Sequence, residues 1–185
     1  MEKQPIYTIG HGLRKREEFL ETLKKFSIQY LIDVRSQPYS KFNPQFNQED
    51  LRFFLERNEI TYVFMGDSIG GRPSDPSCYD SEGKVDYEKV KTRDFFIKGI
   101  ERLKTAYVKN IPIVIMCSES KPAECHRSKL IGRVLYSDNI QLSHIDERNN
   151  IKLQADVINE LNKGLSDLTL FSDVTINTTS RKSYL

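Results

Sequence analysis

The sequence predicts an α/β fold: a mainly parallel sheet of about five strands, helices on both faces and a long loop after the third strand. Short apolar runs alternate along the 185-residue chain with stretches whose apolar residues recur at helical spacing. Such alternation is typical of βαβ units, which place neighbouring strands in parallel. The predicted strands cover residues 6–9, 30–34, 60–64, 111–116 and 140–145.

The helices predicted between these strands have their own signals. Asn47 is a favourable N-cap and Asp50 places an acid in the first turn, so a helix is expected to begin there. Another helix is expected to begin at about residue 126. The apolar faces of the remaining helices are marked by Phe19, Leu20, Leu23 and Phe26, by Phe96, Ile100, Leu103 and Tyr107, and by Ile151, Ile158, Leu161 and Leu165.

Two segments are expected to lack regular structure. Residues 66–86 contain several glycines and prolines, and a loop of this length inside a compact domain is often functional. Residues 171–185 form a polar tail, in which 174–176 could add a small edge strand. We therefore predict one domain over residues 1–170, followed by the tail.

Composition excludes several classes of protein. The formal net charge is +2, which does not by itself indicate a nucleic-acid partner. The chain has no apolar run of about 18 residues that could span a membrane, and its first residues lack the apolar core of a signal peptide. We therefore expect a cytoplasmic protein. In that reducing environment its three cysteines are expected to be thiols, metal ligands or redox residues rather than structural disulfides.

Gly10, His11 and Gly12 close the first predicted strand. In open α/β sheets, ligands bind beyond the carboxyl ends of the strands. Glycine lets the backbone approach a ligand closely, so Gly10 and Gly12 are predicted to contact substrate. His11 is predicted to act in proton transfer or binding. The alternative is a tight turn whose histidine makes only local hydrogen bonds.

Asp33 and Arg35 end the second strand. Alternation places both side chains on one side of the strand, and an unpaired carboxylate in this apolar run would be costly. We predict that Asp33 orients Arg35 or a histidine, and that Arg35 binds an anion; a purely structural ion pair is the alternative. Ser36 and Lys41 follow in the loop and could add phosphate contacts.

Gly71 and Arg72 lie in the long loop, within the sequence Gly-Gly-Arg-Pro. The glycines give the backbone freedom, and a guanidinium recognises phosphate or carboxylate with two hydrogen bonds. Both residues are predicted to bind substrate. An ordinary surface turn is the alternative.

The turn from Cys117 to Arg127 concentrates the reactive side chains. Cys125 could be a nucleophile, because His126, Arg127 and a helix start all favour a thiolate. Cys117 and Cys125 could also form a reversible disulfide, bind zinc with a histidine, or only pack the turn. The Cys-x7-Cys-His spacing matches no recognised zinc motif, so no metal ligand is assigned. Glu119 could act as a general base and His126 in proton transfer. Arg127 and Cys117 are predicted to contact the substrate, with Arg127 binding an anion.

Five ordered blocks resemble the domain of unknown function 488 family. They are Thr8–Gly12, Leu31–Ser36 followed by Pro38 and Ser40–Lys41, Gly70–Pro73, Met116–Glu119 and Cys125–Arg127. The resemblance covers about residues 5–146 and departs from the expected pattern at Ser120. It implies a shared site but supplies no reaction. The implied site residues are His11, Asp33, Arg35, Arg72, Cys117, Glu119, Cys125, His126 and Arg127.

All of these blocks fall at predicted strand ends or in adjoining loops, which share one edge of a parallel sheet. Cations would there surround acid–base groups and two thiols, an arrangement suited to a phosphate-bearing substrate. The sequence contains no dinucleotide-binding or phosphate-loop motif, so the cofactor is unknown. We predict a cytoplasmic enzyme, a hydrolase or transferase acting on a nucleotide, nucleic acid or similar anion. The alternatives are a non-catalytic nucleic-acid-binding or regulatory module and a Cys/His metal or redox sensor.

Overall fold

The predicted parallel sheet is present and has one strand more than expected. The computed structural model describes residues 3–162 and 178–185. Its main sheet has six strands: β1 (Ile6–Gly10), β2 (Tyr30–Asp33), β3 (Thr61–Phe64), β5 (Ile113–Cys117), β6 (Leu142–Ile145) and β7 (Ile151–Leu153). Their order in the sheet is β3-β2-β5-β1-β6-β7, and every pairing is parallel except that of β7 with β6.

Helices cover both faces of this sheet, as predicted. They are α1 (Arg16–Lys25), α2 (Gln48–Glu56), α3 (Tyr87–Lys91), α4 (Asp94–Val108), α5 (Arg133–Ser137) and α6 (Gln154–Asn162). Alternate residues of β5 enter two separate cores: Val114 packs with residues of α1 and α2, and Ile115 packs with residues of α4 and α5. In the described part of the chain, every helix is too short or too polar to cross a membrane.

A second, two-stranded sheet was not predicted. Within the long loop, β4 (Lys84–Asp86) pairs in antiparallel fashion with β8 (Thr179–Ser183) near the chain end. The end of the polar tail is thereby attached to the domain. The suggested edge strand at residues 174–176 and the domain boundary at residue 170 lie outside the described residues.

The strand order creates a crevice between β1 and β5. The connection after β1 leads to α1 on one face of the sheet, whereas the connection after β5 leads to α5 on the opposite face. Neighbouring parallel strands whose connections leave to opposite faces define a topological switch point, where ligands of open α/β sheets bind. His11 directly follows β1 and Cys117 ends β5, so these two residues lie on the two sides of this crevice.

Candidate functional site

A cleft of about 310 Å³ opens at the carboxyl edge of the sheet, beside the crevice between β1 and β5. Nine residues that we predicted for the site contribute to its wall: His11, Arg35, Ser36, Gly71, Arg72, Cys117, Glu119, Cys125 and His126. Among the described residues that line the cleft we do not find Gly10, Gly12, Asp33, Lys41 or Arg127. Lys41 is exposed in the loop after β2, whereas Asp33 and Arg127 are fully buried.

Asp33 and Arg35 form a buried ion pair under one wall. Asp33 Oδ2 lies 2.6 Å from Arg35 Nη2, and the backbone and Nε of Arg35 also donate to Asp33 Oδ1. Tyr62 donates its hydroxyl hydrogen to Asp33 at 2.6 Å, and Arg35 Nη2 donates to the carbonyl of Phe46. Burial opposes the charge, but the Asp33 carboxylate raises the pKa of Arg35. The pair holds a charged guanidinium rigidly at the cleft wall.

His11 is a neutral imidazole beside this guanidinium. Its ring stacks on Phe46 with the ring centres 4.5 Å apart, and Nδ1 donates to the carbonyl of Gly12. Because Nδ1 carries the hydrogen, the lone pair of Nε2 is directed to Arg35 Nη1, 3.5 Å away. Burial and the charge of Arg35 lower the pKa of His11 to about 4.

The two thiols predicted for the site lie together. Cys117 ends β5, and Cys125 precedes a π-helical turn over Arg127–Gly132 that leads into α5. Each Sγ lies within 4 Å of His126 Nδ1. Burial alone would raise the pKa of Cys125, but the hydrogen bond from Cys117 and the charge of Arg127 hold that pKa well below its usual value. The pKa of Cys117 is raised by its hydrogen bond to Cys125 and by burial.

Arg127 lies behind the cleft and uses its donors within the protein. Nε donates to Cys125 Sγ at 3.3 Å, Nη1 to the hydroxyl of Thr8 at 3.0 Å, and Nη2 to the carbonyl of Glu119 at 2.6 Å. These bonds connect the turn after β5 to β1. We therefore assign Arg127 a positioning role; direct contact of Arg127 with substrate stays an untested prediction.

His144, late in β6, extends this buried network. Its Nδ1 lies 2.7 Å from the hydroxyl of Thr8, and its Nε2 lies 2.6 Å from Gln154 Oε1. Gln154 in turn donates to the carbonyl of Ser128 in the π-helical turn. Burial and the charge of Arg127 lower the pKa of His144 to about 4.

The pKa of His144 predicts a loss of stability in acid. The unfolded chain takes up the proton near pH 6.5, whereas the folded protein resists it until about pH 4. The contribution of this histidine to stability is therefore fully present above pH 6.5. As the pH falls towards 4, its protonation in the unfolded chain should lower the free energy of unfolding by about 3 kcal/mol. Denaturant unfolding at several pH values should show a shallower pH dependence for His144→Gln than for the unmodified protein. An unchanged pH dependence in this variant would contradict the assignment.

Two of the predicted glycines are required for packing. A Cβ atom on Gly10 would overlap the carbonyl of Glu119, so the turn after β5 crosses directly over this residue. A Cβ atom on Gly71 would lie 2.8 Å from His126 Nδ1. Gly12 has a φ angle of +49°, which glycine adopts most readily. Substrate contacts of these glycines stay predictions.

The chain end supplies cleft residues that sequence reasoning missed. From β8 and the residue after it, Arg181, Lys182 and Tyr184 line the cleft. The guanidinium of Arg72 lies 4.2 Å from the ring centre of Tyr184, and Arg181 forms a 2.6 Å ion pair with Glu124. The only local signal was a basic Arg-Lys pair in a polar tail, which does not reveal the pairing with β4.

The fold and the site define an α/β protein with a mixed-charge cleft at the switch point of its sheet, rich in thiol, imidazole and guanidinium groups. A family model described as "Domain of unknown function DUF488" matches residues 15–134, more than half of the chain. The chain belongs to this family. The matched range begins after the first sequence block and therefore does not include His11. No curated protein and no solved structure is significantly similar to the chain.

Proposed function

We propose that this protein is a cytoplasmic enzyme that acts on a phosphate-bearing substrate, such as a nucleotide or nucleic acid, in the cleft. The supporting observation is the set of four cationic side chains that line it: Arg35, Arg72, Arg181 and Lys182. Two carboxylates, Glu119 and Glu124, also line the cleft. Because Arg35 is paired with Asp33 and Arg181 with Glu124, the attraction for an anionic ligand comes mainly from Arg72 and Lys182. Guanidinium groups suit phosphate because their planar donors match two of its oxygens.

The two arginines contributed by loops differ in exposure and in the contacts of their side chains. Arg35 is 7% exposed and is held through Nε and Nη2, so Nη1, which lies 3.5 Å from His11 Nε2, is its donor for a ligand. Arg72 is exposed, its backbone N–H donates to Ser36 Oγ, and its side chain lies over Tyr184. In the proposed enzyme Arg35 fixes one phosphate oxygen, and Arg72 closes over the ligand from the opposite side.

Acid–base groups adjoin this phosphate position. The unprotonated Nε2 of His11 can accept a proton once a bound ligand replaces it as the partner of Arg35 Nη1. Two groups can supply the attack on phosphorus: the thiolate of Cys125, or a water molecule deprotonated by Glu119. His126, between the thiols and the loop that contains Arg72, is placed to exchange a proton with either group.

Replacing Arg72 with alanine should weaken binding of a phosphate-bearing ligand about tenfold or more, because a hydrogen bond to a charged group is lost. Calorimetry with nucleoside monophosphates, nucleoside triphosphates and a single-stranded oligonucleotide measures this effect. Arg102→Ala is the matched control, since Arg102 is exposed on α4, away from the cleft lining. Equal binding by the Arg72 and Arg102 variants would contradict the proposal.

Turnover separates an enzyme from a binding module. The bound ligands should be converted, with release of phosphate or transfer of a phosphoryl group, and His11→Ala should slow conversion more than it weakens binding. Binding that falls steeply with salt, without any product, would instead indicate the non-catalytic nucleic-acid module.

A further inference from the structure

Three side chains of types that commonly bind metal ions lie together in the wall of the cleft. They are Cys117 at the end of β5 and the adjacent residues Cys125 and His126 in the following turn. Their ligand atoms all lie within 4.8 Å of one another, and the three residues are 3%, 1% and 8% exposed. The sequence left zinc binding by Cys117, Cys125 and a histidine as one alternative, and the intervening turn folds back to bring its two ends together.

The distances within the cluster match those around a tetrahedral zinc ion. His126 Nδ1 lies 3.8 Å from Cys117 Sγ and 3.7 Å from Cys125 Sγ. With Zn–S bonds of about 2.3 Å and a Zn–N bond of about 2.0–2.1 Å, tetrahedral angles separate sulfur from nitrogen by about 3.6 Å. The two sulfurs lie at most 4.8 Å apart, against about 3.8 Å around a tetrahedral zinc ion, so an ion fits between the ligands with movements of no more than about 1 Å. We propose that Cys117, Cys125 and His126 bind a thiophilic divalent cation, for which Zn²⁺ is the best match.

The surroundings of the cluster support this proposal independently. The backbone N–H and Nε of Arg127 both donate to Cys125 Sγ, at 3.4 and 3.3 Å, and such outer bonds orient and stabilise thiolate ligands. The other nitrogen of His126, Nε2, is buried and has no hydrogen-bond partner in the described part of the chain. With the hydrogen on Nε2, the lone pair of Nδ1 faces the two sulfurs and can bind a cation held between them.

The fourth position of the ion would open to the cleft. All three ligands line the cleft wall, and Glu119 Oε2 lies 3.2 Å from Cys117 Sγ and 3.8 Å from Cys125 Sγ. Three protein ligands with one open position are typical of catalytic zinc rather than structural zinc. If the proposed function also holds, Cys125 is a ligand and not the nucleophile, and a water molecule beside Glu119 is the attacking group.

Metal analysis of the full chain tests the site without any substrate. Protein loaded with Zn²⁺ under reducing conditions and then desalted should keep one zinc per chain. Cys117→Ser, Cys125→Ser and His126→Ala should each lower the zinc content at least tenfold. Cys78→Ala is the matched control, because Cys78 is equally buried but lies outside the cluster. Circular dichroism shows whether each variant is folded.

A second measurement uses the unmodified protein, so it does not depend on any variant folding. Zinc loading should slow alkylation of Cys117 and Cys125 by iodoacetamide at least tenfold relative to chelator-treated protein, as located by mass spectrometry. The proposal would be overturned if the folded protein retained no zinc, or if its thiols alkylated equally with and without zinc. It would also be overturned if the Cys78 variant lost as much zinc as the three ligand variants. Phosphate-ligand binding to chelator-treated protein is measured separately, so failure of the metal site and failure of the proposed function give different results.

Discussion

Replacing Asp33 with alanine should lower the free energy of unfolding by about 3–5 kcal/mol, because it leaves the buried Arg35 guanidinium without its counter-charge. The side chain of Asp33 is inaccessible to solvent, and it receives hydrogen bonds from Arg35 and Tyr62. Water cannot replace the lost carboxylate at this position without opening the wall of the cleft. Denaturant unfolding followed by circular dichroism measures the change.

Two comparisons separate charge from hydrogen bonding at Asp33. Tyr62→Phe removes one hydrogen bond to the same carboxylate and should cost only about 1 kcal/mol. The double variant Asp33→Ala, Arg35→Met removes both charges and should be more stable than Asp33→Ala alone. If Asp33→Ala costs no more than Tyr62→Phe, or if removal of Arg35 gives no recovery, the ion pair does not have the assigned role.

The parallel sheet was predictable because its signals are local. An apolar run such as residues 111–116 needs no partner to identify it as a buried strand, and alternation with helices implies parallel neighbours. The pairing of β4 with β8 was not predictable, because two polar segments about 95 residues apart carry no pattern that matches one to the other. Strand β7 was not predicted either, because its three residues directly precede α6 and were included in the apolar pattern of that helix.

The sequence indicated which residues belong to the site, but it did not indicate how deeply each side chain is buried. His11, Asp33 and Arg35 follow strands whose carboxyl ends must meet, so their proximity follows from topology. Burial depends on the turn that folds over them, and the sequence does not specify that path. Lys121, in the turn between Cys117 and Arg127, is exposed and its Nζ lies 3.7 Å from a carboxylate oxygen of Glu124. Tyr87 and Tyr184 reach the cleft only because β4 and β8 pair.

Arg127→Met is expected to be as destabilising as the loss of Asp33, again by about 3–5 kcal/mol, although Arg127 has no carboxylate partner among the contacts described above. The methionine approximates the volume of the side chain but donates nothing to the hydroxyl of Thr8, the carbonyl of Glu119 or the sulfur of Cys125. Each buried acceptor that loses its donor costs about 1–3 kcal/mol. Because Arg127 Nη2 holds the Glu119 carbonyl, the turn after β5 should also move.

Arg127→Lys distinguishes charge from geometry at the same position. Lysine keeps the positive charge, but a single ammonium group cannot reach three acceptors that are held by three separate guanidinium nitrogens. We therefore expect Arg127→Lys to recover only part of the stability, whereas Arg102→Met on the surface of α4 should change it by less than about 0.5 kcal/mol. Full recovery by lysine would show that charge alone matters here. Such a result would remove the argument that Arg127 positions Cys125 and Glu119 through directed hydrogen bonds.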